Sequence, residues 1–296
     1  MNHEPDSRQG SHSEFCNGPA VCDKSPVFNR LYDTHCHLDA AEFDPDRLAV
    51  IERAWAQGVR GILIPAVDVR SFERVRDLAH SIPWAAYAIG IHPMYVHAAA
   101  GQDLARTREF IAKHIRDPKL VAIGEIGLDF FVPEIASGQA RLDQIRFYRE
   151  QLKIAREFDL PVILHVRKSQ DELLKWLRRD ASPGGIAHAF NGSLQQARQF
   201  VEQGFALGVG GAMTFARALQ IRRLATQLPL SALVLETDAP DISPAWLARD
   251  VRNEPSEVRE IGCELARLRQ CEIAPLIEQT GLNAVRVIPR LAAIWS

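Results

Sequence analysis

Six side chains of the types that bind metal ions stand at the ends of short apolar runs in this sequence. Each run is rich in Val, Ile, Leu or Ala, and each acid or imidazole closes its run or follows it directly. If the runs are strands of one barrel, the six side chains meet at one place. Four imidazoles and two carboxylates at one place describe a metal centre; they are His35, His37, Glu125, His165, His188 and Asp238.

Eight apolar runs alternate with longer amphipathic segments from Leu31 onward. Continuous apolar strands that alternate with helices are typical of a parallel sheet that is covered on both faces. Eight such units in 296 residues favour an α/β fold closed as a (β/α)8 TIM barrel over an open, doubly wound sheet. The predicted strands are 31–35, 61–66, 85–91, 121–126, 161–166, 185–190, 205–209 and 233–238.

The helices between these strands are predicted from the spacing of apolar residues. Leu48, Ile51 and Trp55 fall on one helical face, which we expect to pack on the barrel. Residues 257–296 predict two or three further helices, in which Gly281 ends one and Asn283 caps the next.

Composition restricts the classes of function. A net charge of -2 argues against a protein that coats nucleic acid through a broad basic surface, although it allows an enzyme that meets a phosphate chain in a local cleft. No apolar run approaches the ~20 residues that span a bilayer. The five cysteines form no dense pattern, and residues 1–29 lack the apolar stretch of a signal peptide, so we predict a cytoplasmic location.

The chain divides by composition into two parts. Residues 1–29 are polar and lack periodic apolar residues, which predicts a disordered N-terminal extension. Residues 30–296 carry the alternating pattern and are predicted to form the TIM-barrel hydrolase domain.

Four of the candidate ligands allow a more specific interpretation. Residues i and i+2 of a strand point to the same side, so His35 and His37 would both face the barrel axis, unless they are ordinary surface or core histidines. A buried glutamate needs a partner, so Glu125 is predicted to bridge two ions with its two oxygens; the alternative is an exposed acid paired with Arg167. Asp238 is predicted to bind a metal ion and to accept a proton from the attacking water.

Three other residues are candidates for contacts with substrate. His92 closes the third strand and is predicted to hydrogen-bond a phosphate, although a structural histidine explains it equally well. Arg252 offers a planar set of donors for phosphate, or belongs to a loop-to-helix junction that begins at Pro255. Glu236 lies two residues before Asp238 and would orient a metal ligand or a substrate group, unless both acids only cap a helix.

Taken together, the motifs resemble the TatD-like metal-dependent deoxyribonucleases of the amidohydrolase superfamily. The resemblance implies a divalent metal centre at the C-terminal face of the barrel and hydrolysis of DNA phosphodiesters, commonly from the 3′ end of single strands. It implies that His35, His37 and Asp238 hold one ion, that His165 and His188 hold the other, that Glu125 bridges them, and that His92 and Arg167 lie near the substrate phosphate. The matching stretches are DTHCHLD (33–39), GIHP (90–93), IGEIGLD (123–129), PVILHVR (161–167), HAFNGS (188–193), ETDAP (236–240) and RNEP (252–255).

Two departures from the family pattern bear on the substrate. Ala189 stands where the family often has cysteine, and Asp241 stands where it often has an aromatic residue. The predicted function is 3′–5′ exonuclease action on single-stranded DNA with two divalent ions (zinc, manganese or magnesium), and DNA as a transient partner. Hydrolysis of another ester, such as D-aminoacyl-tRNA, and a non-enzymatic scaffold that keeps a structural metal are the alternatives. We predict no membrane contact and no obligate protein partner.

Overall fold

Eight parallel strands follow one another around a barrel in chain order. The computed structural model describes residues 28–181, 183–248 and 250–295, so the predicted N-terminal extension lies outside the described residues except for Phe28 and Asn29. The strands are β1 (Tyr32–Asp33), β2 (Gly61–Pro65), β3 (Ala85–Ile89), β4 (Leu120–Asp129), β5 (Val162–Arg167), β6 (Gly185–Ala187), β7 (Phe205–Val209) and β8 (Leu233–Leu235).

Each strand is followed by at least one helix, as the alternating pattern predicts, and the (β/α)8 TIM barrel is confirmed. No helix within the described ranges is long and apolar enough to cross a membrane. The α-helices of the described chain are α1 (Arg47–Ala56), α2 (Phe72–Ser81), α3 (Gln102–His114), α4 (Gly138–Glu157), α5 (Gln170–Asp180), α6 (Leu194–Glu202), α7 (Leu219–Gln227), α8 (Val258–Arg269) and α9 (Ile273–Val287).

The barrel closes where the segment after β1 meets the segment after β8. The Thr34 backbone N–H donates to the Leu235 carbonyl at 3.1 Å, and the Asp238 N–H donates to the His35 carbonyl at 2.8 Å. The His37 N–H donates to the Ala239 carbonyl, also at 2.8 Å. This closure joins the chemistry-bearing residues of the first and last strands, although they are about 200 positions apart in the sequence.

Two hydrophobic clusters hold the strands in place, because alternate residues of a strand point to opposite faces. In β2, Ile62 and Ile64 belong to the cluster that the helices cover, whereas Leu63 belongs to the inner cluster. The inner cluster ends at Trp295, whose indole N–H donates to the Trp84 carbonyl at 2.9 Å. A Cβ on Gly61 would lie 2.4 Å from the Trp295 ring, so the C-terminal segment closes the N-terminal end of the barrel.

Of the three residues on the predicted apolar face of α1, Ile51 packs against the core and the other two do not. Leu48 is 78% exposed, and Trp55 is also exposed, whereas Val50 and Ala54 are buried. Both sets of residues have helical spacing, so periodicity did not separate them. The smaller side chains lie against the barrel.

The predicted break between two helices near residue 281 is also wrong, since Gly281 and Asn283 both lie inside α9. A Cβ on Gly281 would lie 2.6 Å from the Arg30 carbonyl oxygen, so the glycine permits close packing and does not end the helix. The Asn283 amide donates to the Leu230 and Leu233 carbonyls at 2.8 and 2.7 Å, which ties α9 to the start of β8.

Candidate metal centre

The six predicted ligands gather at the C-terminal ends of the strands, although the strand ends differ from the prediction. Glu125 and His165 lie inside β4 and β5, whereas β1, β6 and β8 end before their acid or imidazole is reached. Asp238 has a φ of 58°, a left-handed conformation that a strand does not contain. The strand pairing of β8 therefore ends before Asp238. Hydrogen bonds between the segments after β1 and β8 position this residue instead.

One oxygen of Glu125 belongs to a first group of ligand atoms. His35 Nε2 lies 3.1 Å from Glu125 Oε2, 3.3 Å from His37 Nε2 and 3.5 Å from Asp238 Oδ1. His37 Nε2 lies 3.4 Å from Glu125 Oε2 and 3.7 Å from Asp238 Oδ1. Two nitrogens and two oxygens therefore face one another within a few ångströms.

The other oxygen of Glu125 belongs to a second group. His165 Nδ1 and His188 Nε2 each lie 2.8 Å from Glu125 Oε1, and His92 Nε2 lies 3.3 Å from it. Glu125 is 1% exposed and pairs with imidazoles, and Arg167, the partner in the alternative interpretation, lies beside Asp129 instead. The carboxylate thus divides its two oxygens between two sets of nitrogens.

The spacing of these atoms fits bound divalent ions. Ligands about 2.1 Å from a four-coordinate ion lie about 3.4 Å from one another, and those around a six-coordinate ion about 3.0 Å. The distances within the two groups run from 2.8 to 3.7 Å. The donor set of imidazole nitrogens and carboxylate oxygens suits zinc or manganese, and the carboxylates also suit magnesium.

The electrostatics of the protein alone favour positive charge at this place. Burial by itself raises the pKa of Glu125, but the imidazoles of His188, His92 and His35 hold it well below its usual range. Burial by itself lowers the pKa of His188, but the Glu125 and Asp238 carboxylates outweigh it and raise that pKa to about 10. Burial also opposes the charge on His37, whose pKa Glu125 nevertheless raises to about 9. The site therefore holds cationic groups although it is buried.

His92 differs from the other imidazoles in its hydrogen bonding. Its Nδ1 accepts the Met94 backbone N–H at 3.1 Å, so Nε2 carries the proton of the neutral ring. Burial lowers the pKa of His92 to about 4, which keeps the ring neutral at pH 7. Its Nε2–H points to His165 Nδ1 at 3.0 Å. His92 therefore presents a donor to the site, whereas a metal ligand needs a free lone pair.

Asp129 supports His165 and was not singled out from the sequence. His165 Nε2 lies 3.1 Å from Asp129 Oδ2 and Nδ1 lies 2.8 Å from Glu125 Oε1; in the neutral ring, a proton on Nε2 shared with Asp129 leaves Nδ1 free to bind a metal ion. Burial opposes the charge on Asp129, but the bond from His165 and two backbone N–H groups lower its pKa to about 2. Its position in the sequence could have indicated this role, because residues 125 and 129 are separated by an even number of positions and so lie on the same face of a strand.

Asp33 contacts the His35 backbone and Thr237. Its Oδ1 accepts the Thr237 N–H at 2.9 Å and the His35 N–H at 3.3 Å, and its Oδ2 accepts the Thr237 hydroxyl at 2.5 Å. His35 Nδ1 has no hydrogen-bond partner among the described residues. Asp33 therefore ties β1 to the segment that precedes Asp238.

Asn253 is a second residue that the sequence interpretation missed. Its buried amide donates to the Thr237 carbonyl at 2.9 Å and to the Asp241 carbonyl at 2.7 Å. These two carbonyls flank Asp238, so Asn253 fixes both ends of the segment that carries it. The RNEP motif (252–255) was recognised in the sequence, but nothing in it indicated that Asn253 is the residue that bonds to the segment around Asp238.

Arg252 lies in an ion-pair network with carboxylates. Its guanidinium donates to both Asp46 oxygens at 2.9 and 3.0 Å and to Glu254 at 2.8 Å, and it packs over the Phe43 ring. The structure therefore gives Arg252 a contact between the start of α1 and the loop before α8. The predicted phosphate contact would require these ion pairs to open.

Glu236 and Arg167 occupy different depths. Glu236 is buried, and its Oε1 accepts the Ala189 N–H at 2.5 Å, so it orients the loop that follows His188. Burial raises the pKa of Glu236 to about 8. Arg167 is about half exposed and lies 3.7 Å from Asp129 Oδ2, at the edge of the ligand groups.

The sequence as a whole matches the family model of TatD related DNase over residues 32–289. This chain belongs to the TatD-related DNase family. It is 40% identical to the metal-dependent hydrolase YjjV of Escherichia coli K12 over 257 residues, 86% of this chain and 95% of that protein. It is 32% identical to the 3′-5′ ssDNA/RNA exonuclease TatD of Escherichia fergusonii over 267 residues, 86% of this chain and 96% of that one.

A solved structure agrees with this assignment. The crystal structure of the E. coli YjjV protein, a TatD homologue, superposes with a TM-score of 0.81 at 36% identity, and the match covers 88% of this chain and 98% of that chain. The family resemblance inferred from the motifs is confirmed, and the chain is a metal-dependent hydrolase of the TatD family.

Proposed function

We propose that this chain is a divalent-metal-dependent nuclease that removes nucleotides from the 3′ end of single-stranded DNA. The observation that carries the proposal is the buried Glu125, whose two oxygens face separate groups of ligand atoms. Two ions held close together suit the hydrolysis of a phosphodiester, because both the attacking and the leaving oxygen develop charge. The name of the E. fergusonii relative, a 3′-5′ ssDNA/RNA exonuclease, supports the same substrate class.

In this proposal the ligand groups divide between two ions. His35, His37 and Asp238 would hold one ion, His165 and His188 would hold the other, and Glu125 would contribute to both. Bound divalent ions would lower the pKa of water and offset charge on the phosphate. The imidazole-rich donor set favours zinc or manganese in the protein as purified, while magnesium supports turnover. Elemental analysis of untreated protein tests this assignment.

The side chains then have separate tasks. Glu125 contacts both groups of ligands and so fixes the distance between them. Asp238 accepts the proton of the attacking water. His92 donates its Nε2–H to a phosphate oxygen, which its fixed tautomer permits. Arg167 lies at the edge of the site and offsets charge on the same phosphate. Glu236 orients the loop after β6 through Ala189.

A cleavage assay with and without metal tests the proposal. A 5′-labelled single-stranded oligonucleotide is expected to shorten from its 3′ end, and chelation is expected to abolish cleavage while circular dichroism stays unchanged. Glu125→Gln keeps the shape of the side chain but removes its charge, so we expect a loss of activity and of bound metal. Glu157→Gln changes an exposed acid on α4 that pairs with Arg108, and serves as the matched control. Full cleavage by chelated protein would overturn the proposal.

Asp241 keeps a second substrate class open. Its exposed carboxylate lies close enough to raise the pKa of Asp238, after the larger effect of burial. An added negative charge at the entrance disfavours a phosphodiester at the scissile position and favours a scissile group without a phosphate, such as the acyl ester of D-aminoacyl-tRNA. Rapid ester turnover without nuclease activity would favour this alternative, and Asp241→Asn, which removes the repelling charge, would then be expected to introduce measurable DNA cleavage.

We assign the catalytic unit to residues 30–296. The family match over residues 32–289 supports this boundary. A chain that begins at residue 28 is therefore expected to keep full nuclease activity, and a loss of activity with an unchanged melting temperature would contradict the assignment. The cytoplasmic location stays a prediction, which imaging of the tagged chain would test.

A further inference from the structure

An exposed aromatic ring with two cations lies beside the ligand groups. Phe131 lies two residues after the end of β4 and is 47% exposed. The Arg167 guanidinium carbon lies 3.9 Å from the centre of its ring, and Lys168 Nζ lies 4.8 Å from it. A single exposed apolar side chain is common on a protein surface, so what distinguishes Phe131 is the pair of cations over its ring beside the ligand groups.

The ring is tied to the site through Asp129. The Phe131 N–H donates to Asp129 Oδ1 at 2.8 Å, while Asp129 Oδ2 accepts His165 Nε2 at 3.1 Å. The pairing of β4 with β5 continues to Asp129 and Arg167, and the Phe130 N–H donates to the Arg167 carbonyl at 2.9 Å. One carboxylate therefore positions both a predicted metal ligand and the segment that carries the ring.

We propose that Phe131, Arg167 and Lys168 form a subsite for the nucleotide next to the bond that is cleaved. The base stacks on the exposed phenyl ring, and the two cations contact its phosphate. This inference rests on the proposed nuclease function and deepens it. Any base has a face that stacks on an aromatic ring, so the subsite accepts all four bases, but a base within a duplex cannot reach it. The subsite therefore selects single strands without selecting a sequence.

Another part of the barrel offers a matched control. Trp55 is 48% exposed, and the Arg60 guanidinium carbon lies 4.0 Å from the centre of its ring. This pair lies between the end of α1 and the start of β2, at the N-terminal end of the barrel and away from the ligand groups. It also combines a half-exposed aromatic ring with a cation. Removing this ring therefore shows whether the loss of any exposed aromatic side chain changes KM, or only the loss of one beside the ligand groups.

The test combines variants of the protein with an altered substrate. Phe131→Leu removes the ring but keeps an apolar side chain, Phe131→Tyr keeps the ring, and Trp55→Leu is the control. Single-stranded oligonucleotides are compared with oligonucleotides that carry an abasic residue beside the 3′ terminal bond. Because stacking on an aromatic ring contributes substantially to binding, we expect Phe131→Leu to raise KM about tenfold with kcat within about twofold.

The abasic substrate removes the same stacking contact by deleting the base instead of the Phe131 ring. We expect it to raise the KM of the wild-type enzyme about tenfold and to cause no further increase in Phe131→Leu. Phe131→Tyr and Trp55→Leu are expected to resemble the wild type. If the wild type cleaves DNA but Phe131→Leu keeps the wild-type KM, or the two effects multiply, the subsite is wrong and the nuclease function stands. If the wild type neither binds nor cleaves single strands, both proposals fail.

Discussion

Replacing Asn253 with alanine is expected to weaken the fold and the metal centre together. The Asn253 amide donates to carbonyls on both sides of Asp238, and its Oδ1 accepts the Glu254 N–H at 2.9 Å. Asp238 lies in a left-handed conformation, which needs support from its surroundings. Without the amide, the segment loses the contacts that hold this conformation in place.

The magnitude follows from the exposure of the groups left behind. The Thr237 carbonyl is buried and would lose its bond to the Asn253 amide, whereas the Asp241 carbonyl is partly accessible to water. A buried group left without a partner costs about 1–3 kcal/mol, and an accessible one costs less, so the free energy of unfolding is expected to fall by roughly 2–4 kcal/mol. A small displacement of Asp238 is expected to lower kcat by roughly 10- to 100-fold.

Asn283→Ala provides the matched control. The Asn283 amide also donates to one buried and one partly buried carbonyl, at Leu233 and Leu230, but it does so at the opposite end of β8. Urea denaturation is expected to show a similar loss of stability in both variants. Cleavage of single-stranded DNA and elemental analysis are expected to separate them, since Asn283→Ala should keep kcat within about twofold and retain its metal.

Two results would refute this reasoning. If Asn253→Ala and Asn283→Ala lose activity equally, the effect is a general loss of stability and not a displacement of Asp238. If Asn253→Ala unfolds at the wild-type urea concentration, the two hydrogen bonds contribute less than their burial implies. Asn253→Asp adds a check, because it keeps the shape of the side chain and removes the amide donor.

Two further predictions concern stability. Gly208→Ala would place a Cβ 2.1 Å from Glu236 Oε2, so the free energy of unfolding should fall by about 1–3 kcal/mol, and an unchanged urea midpoint would argue against this crowding. Hydrogen bonds from Arg252 lower the pKa of Asp46 from 3.8 to about 2, so this contact stabilises the protein above about pH 4 and is lost as the pH falls towards 2. In Arg252→Gln the Asp46 pKa, followed by NMR, should return towards 3.8; a titration like that of the wild type would exclude Arg252 as the cause.

The convergence of the six ligand residues was predictable because their positions depend on a repeated local pattern. Each βα unit returns the chain to the same end of the barrel, so residues at equivalent strand ends become neighbours. His165 and His188 were placed together by this reasoning, and a nitrogen of each lies 2.8 Å from the same Glu125 oxygen. The motifs also sufficed to identify the family.

Other residues were not predictable, because their roles depend on contacts between distant segments. Asp33 bonds to Thr237 and Arg252 to Asp46, each across more than 200 positions. Periodicity alone was also insufficient for α1, where Ile51 packs against the core as predicted but Leu48 is exposed and Ala54 is buried. Spacing along a chain does not indicate which of two equivalent faces fits the available space.

The sequence by itself determined the order of the strands, the chemistry of the ligand residues and the end of the barrel where they collect. These properties follow from the alternation of strands with helices and from the spacing of apolar residues, which are both local features of the sequence. Only the tertiary structure decided that His92 Nδ1 accepts the Met94 N–H, that Asp129 supports His165, and that Arg252 is held by carboxylates. Each depends on distances set when β1 meets β8 and the strands close into a barrel, which no local pattern records.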